Sequence, residues 1–302
     1  MDQAKRETAA LLTLLRERPR SMSWGQIAAE VSYEGSALAV LTPSNDDGLF
    51  DVPFDEARLT AEYEAVESWR RAGLAFVTVL DEDYPRRLRG IRETPPFLFY
   101  EGALVPDDEG MSVVGSRDAT RWGLDFAADA AQLLVSEGMT VIGGLAAGVD
   151  TAAHRAALDA GGRTVAFLGT GITKSYPQQN TALQREIAAR GLVLSQFYPD
   201  APPTKQTFPM RNASMSGYGA ATIVVEANEH SGTRIQARLA GEHGRPVVLT
   251  SRVVETTDWG KETARRPNVW VVHNTEDLTH AVREIREAPR RLENALAALA
   301  AG

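Results

Sequence analysis

The residues of this chain best suited to chemistry are cations and hydroxyls set beside glycines. In SVVGSRDATRWG, Gly115 and Ser116 directly follow an apolar run and Arg117 comes next. Glycine lets the backbone approach an anion with no Cβ in the way, and arginine adds a forked, permanently charged donor set. The tripeptide reads as a phosphate cradle with a clamp; taken alone, a tight turn with a solvated arginine is an equal reading. VIGGLAAGVDTAAHRAAL repeats the device, with Gly143, Gly144 and Gly148 after a second apolar run. Here Asp150 is placed to cap the following helix, whose N-terminal N–H groups favour an anion, and His154 is expected to pack that helix onto neighbouring loops.

Three further segments add to the set. FLGTGITKSYPQQN ends a run at Gly169 and Gly171, projects Lys174, and carries Tyr176 as either a base-stacking ring or a packing element. FPMRNASMSGYGA supplies Arg211 and Asn212 at a proline-started helix. EHSGTRIQAR puts Ser231, Gly232 and Thr233 at another helix N-terminus as a nest of N–H and hydroxyl donors, with Arg234 and Arg238 on adjoining turns.

Other chemistries find little support. The chain has no cysteine, which removes disulfides, thiolate metal sites and cysteine nucleophiles, and its five histidines show no metal-ligand spacing. No metal and no cofactor are expected. GxxxxGK[ST] is absent, as is GxGxxG with an acidic residue about 20 positions on, so a P-loop NTPase or an NAD dehydrogenase is disfavoured. A net charge of −8 argues against a surface coated in positive charge. Local positive charge is still available: acidic residues crowd positions 45–67 and 106–109, whereas Lys174, Lys205, Arg211, Arg234, Arg238 and Arg245 lie in the later glycine-rich half. No apolar run approaches the ~20 residues of a membrane span and the first residues lack a signal-peptide core, so a cytoplasmic protein without a membrane partner is expected.

The elements that must position these residues follow from the hydrophobic pattern. From Met111 onward short apolar runs alternate with helical segments, the mark of a parallel sheet covered on both faces. Strands are expected at 111–115, 140–143, 164–169, 192–196, 221–226, 246–250 and 268–272, and helices at 121–137, 149–160, 180–190, 209–217 and 232–244. Before them, 4–40 reads as short helices, 55–72 as another helix and 74–80 as a strand, followed by a proline-punctuated entry segment. The N-terminal helices are a plain packing unit in preference to a helix–turn–helix, since neither presents the Arg, Asn and Gln cluster that a major groove needs. The expected α/β architecture is an extended Rossmann-like sheet over 81–274, preceded by a helical module over 1–80 and followed by a helical tail over 275–302. Ligands of such sheets gather at the carboxyl ends of the strands, where all the segments above fall.

The succession YPRRL, VVGSR, GGLAAGVDTAAHRAAL, AFLGTGITKSYPQQN, FPMRN and VVEANEHSGT resembles, in order and over roughly Asp83 to Leu249, the DNA-processing protein A (DprA, or Smf) family. The resemblance implies an extended Rossmann fold, metal-free binding of single-stranded DNA, a homodimer, and loading of a RecA-type recombinase. It also implies backbone contacts from Gly115, Ser116 and Arg117, from Lys174, and from Arg211 and Asn212. The chain departs from the family pattern after PVVLT, where SRVVETTDWGKETARRPNVWVV has neither the Pro-Gly nor the GxN motif. About thirty residues follow Val272, too few for the family's C-terminal winged helix. These departures mark a divergent member.

Three functions compete: a non-catalytic single-strand binder, a nucleotide-binding sensor, and a nucleoside-monophosphate phosphoribohydrolase of the lysine-decarboxylase-like group. RNASM and SGTRIQ resemble motifs of that last group, but Gln236 stands where it would need a catalytic glutamate, and a neutral amide cannot act as a general base. The single-strand binder is preferred.

Overall fold

In the computed structural model, which describes residues 2–42 and 56–300, the apolar runs assemble into one sheet. Among the described residues nine strands are present, in the order β1-β2-β6-β5-β4-β3-β7-β8-β9. They are β1 (Ala75–Thr78), β2 (Phe97–Gly102), β3 (Gly110–Val114), β4 (Thr140–Gly143), β5 (Thr164–Phe167), β6 (Leu192–Ser195), β7 (Ala221–Val224), β8 (Val247–Thr250) and β9 (Val269–Val272). Strands β3 to β9 run parallel, and β3, β4, β5, β6, β7 and β8 are buried at every residue. That is why they read as continuous apolar runs instead of alternating ones.

The expected Rossmann-like sheet is present, extended by β1, which falls within the strand expected over 74–80, and by β2, which the sequence reading treated differently. Phe97–Gly102, taken as part of a proline-rich entry segment, is a strand that pairs antiparallel with both β1 and β6. Pro95 and Pro96 lie outside the paired residues, so they punctuate the entry without breaking the ladder.

The helices are α1 (Gln3–Glu17), α2 (Trp24–Glu34), α3 (Ala37–Leu41), α4 (Glu56–Arg71), α5 (Arg121–Ser136), α6 (Val149–Asp159), α7 (Thr181–Arg190), α8 (Thr207–Tyr218), α9 (Thr233–Glu242), α10 (Ser251–Thr256), α11 (Asp258–Thr263) and α12 (Thr275–Ala300). One core joins α1 to α4 and α7 to α9 to one face of the sheet; the other packs α5, α6 and the first half of α12 on the opposite face. The helix expected from Asp55 starts at a residue outside the described ones, as does the end of the expected tail at Ala301. Residues 23–41 split in two because Gly35 takes a left-handed φ of 69° as the C-cap of α2, and Ser36 then caps α3. The Glu7 carboxylate accepts hydrogen bonds from the N–H groups of Ala37 and Leu38 at 2.7 and 3.1 Å, so the N-terminus of α3 already holds an anion. From Glu287 on, α12 stands clear of the domain with Leu292, Leu296 and Leu299 exposed.

The strand order reverses between β3 and β7: from β3 the chain proceeds outward through β4, β5 and β6, then returns to β7, β8 and β9. Loops leaving the C-terminal ends of β3 and β7 therefore diverge to opposite faces and leave a crevice. The N-terminal helices are held to the far side of the sheet by an aromatic cluster in which Phe99 meets Trp69 at 5.1 Å, Phe76 at 5.5 Å and Phe97 at 5.7 Å. Phe99 is fully buried. Phe99→Ala is expected to destabilise the protein by about 3–5 kcal/mol, the cost of a lost buried ring and its cavity, as read from urea or guanidinium unfolding midpoints.

Candidate anion-binding site at the strand switch point

The crevice holds a cavity of about 490 Å³, into which the loops after β3 and β7 and the start of α8 converge. Gly115, Ser116, Arg117, Arg211, Asn212, Ser231, Gly232 and Thr233 line it together. A second, smaller recess of about 70 Å³ lies alongside and adds Gly144 and Gly169. Arg117, Arg211 and Phe208 border both. Gly143 and Lys174 line neither: Gly143 is packed against the His154 ring, and the half-exposed Lys174 faces Asp200 at 3.7 Å.

Several glycines serve protein neighbours, a physical reason different from open access to a ligand. A Cβ on Gly115 would come within 2.5 Å of Val149 Cγ2, one on Gly143 within 2.7 Å of the His154 ring, and one on Gly169 within 2.7 Å of Phe208. Gly148 combines a φ of 75° with backbone so close that a Cβ would lie 2.3 Å from the Ser116 carbonyl, which interlocks the β3 and β4 loops. Gly232, by contrast, has open space where its Cβ would be.

Backbone N–H groups beside two of these loops are engaged by the chain's own carboxylates. Glu226, just beyond β7, accepts hydrogen bonds from the Thr120 N–H at 3.0 Å and the Thr120 hydroxyl at 2.6 Å, beside the start of α5, while its carbonyl accepts from the Ser116 N–H at 2.7 Å. One residue thus fixes both ends of the loop that carries Arg117. Asp150, expected to cap α6, sits inside its first turn and reaches back instead, accepting from the N–H groups of Gly144 at 2.8 Å and Ala146 at 3.4 Å. Burial pushes its carboxyl above the usual aspartate range, and the nearby Arg211 opposes that shift.

Arg211 is the unusual residue. Its side chain is buried, with 6% exposure, and lies so close to Gly144 that a Cβ there would overlap the guanidinium. It donates to the Phe167 carbonyl at 3.2 Å, its Nε has no partner, and among the described residues no carboxylate lies within ion-pair distance of it. Burial lowers its affinity for a proton, with Asp150 opposing. A buried cation without a direct counterion is costly, and an anion placed beside it would offset that cost. Exposed Arg117 stands with it: the two guanidinium carbons lie 5.6 and 6.0 Å from the Phe208 ring centre, within cation–π range.

Sequence reasoning missed Phe208; its place directly before the Pro-Met-Arg-Asn run was the available signal. It also missed how residues 251–266 are used. They form α10 and α11, which brace the cavity rim: Trp259 Nε1 donates to the Asn228 carbonyl at 3.2 Å and the Asp258 N–H donates to Glu229 at 2.8 Å. Gln236 lines the cavity, yet its buried amide is engaged: in the orientation its neighbours require, it donates to the Asn212 carbonyl at 2.9 Å and accepts from the Ser216 N–H at 3.3 Å. It braces α9 against α8.

Behind the recess His154 is wholly buried, its Nδ1 2.6 Å from the Thr164 hydroxyl, so it packs its helix onto the strands β4 and β5 more than onto loops. Burial, assisted by Arg211, lowers its pKa from 6.5 to about 3. The folded protein holds this ring neutral while the unfolded chain takes up a proton below about pH 6.5. Stability from this residue is therefore complete above pH 6.5 and falls as pH drops toward 3, by up to about 1.4 kcal/mol per pH unit. His154→Asn is expected to flatten the dependence of unfolding free energy on pH across that window, measured by denaturant unfolding at pH 7, 6 and 5; an unchanged slope would refute the assignment.

The comparisons with known proteins agree with this architecture. The family model for DNA recombination-mediator protein A matches residues 75–283. Protein Smf of Synechocystis sp. is 39% identical over 190 residues, which are 61% of this chain and 48% of that protein. DNA processing protein DprA of Streptococcus pneumoniae is 39% identical over 194 residues, 64% of this chain and 66% of its own length. The matched region thus spans about half to two thirds of these curated relatives. The X-ray structure of the Streptococcus pneumoniae DprA superposes with a TM-score of 0.65 at 28% identity, covering 91% of this chain and 95% of that one. DNA processing protein A of Helicobacter pylori, whose structure is described as showing a single-stranded DNA binding mode, superposes with a TM-score of 0.61 at 24% identity and shares the fold, over 69% of this chain and 96% of that one. On the matched family model and the level of identity to these relatives, the chain belongs to the DNA recombination-mediator protein A, or DprA/Smf, family.

Proposed function

We propose that this chain binds single-stranded DNA through its phosphate backbone, without catalysing a reaction on it, in the crevice where the loops after β3 and β7 diverge. The observation that carries the reading is Arg211, a buried guanidinium with no carboxylate at ion-pair distance among the described residues, bordering the cavity beside Arg117. Burial strengthens its attraction for an incoming phosphate, because little water screens the contact. Arg117 supplies a second positive charge, and Ser116, Asn212 and the Thr233 hydroxyl add neutral polar groups at the rim, whereas the Ser231 N–H, the Ser231 hydroxyl and the Thr233 N–H are engaged within their own loop. Phe208 offers a ring on which a base can stack, a contact that every base can make. Such a site reads backbone and π-face, so it has little sequence preference.

Family membership supports the same conclusion, since relatives are named as DNA-processing proteins and the Helicobacter pylori relative is described as a single-strand binder. The family's description as a recombination mediator extends the proposal to a recombinase of the RecA type as the protein that receives the strand. A phosphoribohydrolase is not supported: its catalytic carboxylate position holds Gln236, whose amide is occupied in bracing α8.

A fluorescent oligothymidylate titrated at two salt concentrations tests the proposal. Binding is expected to weaken with salt at a logarithmic slope of about −0.7 per phosphate contact. Arg117→Ala is expected to reduce affinity about tenfold and to make that slope shallower by about 0.7. Absence of binding at low salt would refute the reading.

A further inference from the structure

Arg117, Phe208 and Arg211 form a partition with a different space on each side. The main cavity, about 490 Å³, is large enough for a nucleotide. The recess on the other side is about 70 Å³, enough for a phosphoryl group and too small for a nucleoside. The backbones of Gly144 and Gly169, at the ends of β4 and β5, line the recess, together with Ala147 and Tyr176. Neither glycine position has room for a side chain, because Arg211 lies against one and Phe208 against the other.

The recess thus combines a small volume with two guanidiniums, one of them buried with an unpartnered Nε. Asp150, the carboxylate nearest in sequence to this wall, is turned to the Gly144 and Ala146 amides. An internal phosphodiester carries one negative charge and continues as chain on both sides, so it would need both an entrance and an exit. A terminal phosphomonoester carries about −1.5 to −2 at pH 7 and continues on one side only. Two cations beside a space no larger than one phosphoryl group match the second.

We infer that the recess binds the terminal phosphomonoester of a DNA strand whose adjoining nucleotide occupies the main cavity. The inference rests on the single-strand reading above and adds to it a preference for phosphorylated ends.

The test compares one 20-nucleotide sequence carrying an internal fluorophore in four forms: 5′-phosphorylated, 3′-phosphorylated, hydroxyl at both ends, and covalently closed into a circle. One of the phosphorylated strands is expected to bind about tenfold or more tightly than the hydroxyl-ended strand, and the circle no better than the latter. Ala147→Leu fills the recess from a wall that the main cavity does not share, and is expected to abolish the preference while leaving affinity for the hydroxyl-ended strand. Equal binding of all four forms by the unaltered protein overturns the inference and leaves single-strand binding standing. Binding of none of them removes the underlying reading as well. A preference that persists in a folded Ala147→Leu protein overturns the location. Displacement of the phosphorylated strand by thymidine monophosphate at the same concentration assigns the recess to free nucleotides and overturns the strand-end assignment. Should Ala147→Leu fail to fold, the four-way comparison on the unaltered protein decides alone.

Discussion

A buried guanidinium with no carboxylate at ion-pair distance among the described residues is the constraint around which the crevice is organised. Placing Arg211 there requires Gly144 to be bare, since a methyl group at that position would overlap it. It requires the Phe167 carbonyl at the end of β5 as an acceptor, and Asp150 as a more distant charge of opposite sign. Asp150 in turn is held by the amides of the same glycine loop. The loop after β4, the first turn of α6 and the start of α8 are thus a single electrostatic unit. Leaving a cation underpaired in this way costs stability, a cost that an anion placed beside the guanidinium would offset.

The centre of the sheet was legible because β3 to β8 are buried at every residue and so read as short continuous apolar runs separated by helical segments. Phe97–Gly102 escaped that reading because two prolines precede it and suggest a loop, although they fall just before the paired residues. Residues 251–266 were recognised as a departure from the family pattern but not as helices, since each helix is only six residues long and their anchor, Trp259, acts on the Asn228 carbonyl, 31 residues earlier in the chain.

At the site, residue types pointed to the correct loops but not to how each residue is used. Glycine after a strand has two physical causes, access for a ligand and space for a neighbour, and the sequence is the same for both. Gly115, Gly143 and Gly169 are bare because Val149, His154 and Phe208 occupy their space. Likewise an acidic residue near a helix start suggests a cap, but whether Asp150 caps its own helix or the preceding loop depends on a chain path that only the fold supplies. Glu226 shows the reverse: nothing near it in sequence marks it as a partner of Thr120, more than a hundred positions away.

The bracing role of Gln236 has a consequence for what this fold can become. Its amide presents a donor to the Asn212 carbonyl and an acceptor to the Ser216 N–H, a pairing that only a group with both can satisfy. A glutamate introduced there would set an ionised oxygen against a carbonyl in a buried position, and would either take up a proton or push α8 and α9 apart. A carboxylate able to catalyse and an intact brace between those helices therefore exclude each other at this position. A lineage that began from this arrangement would have to repack the helix pair before it could gain hydrolytic chemistry in the same cavity.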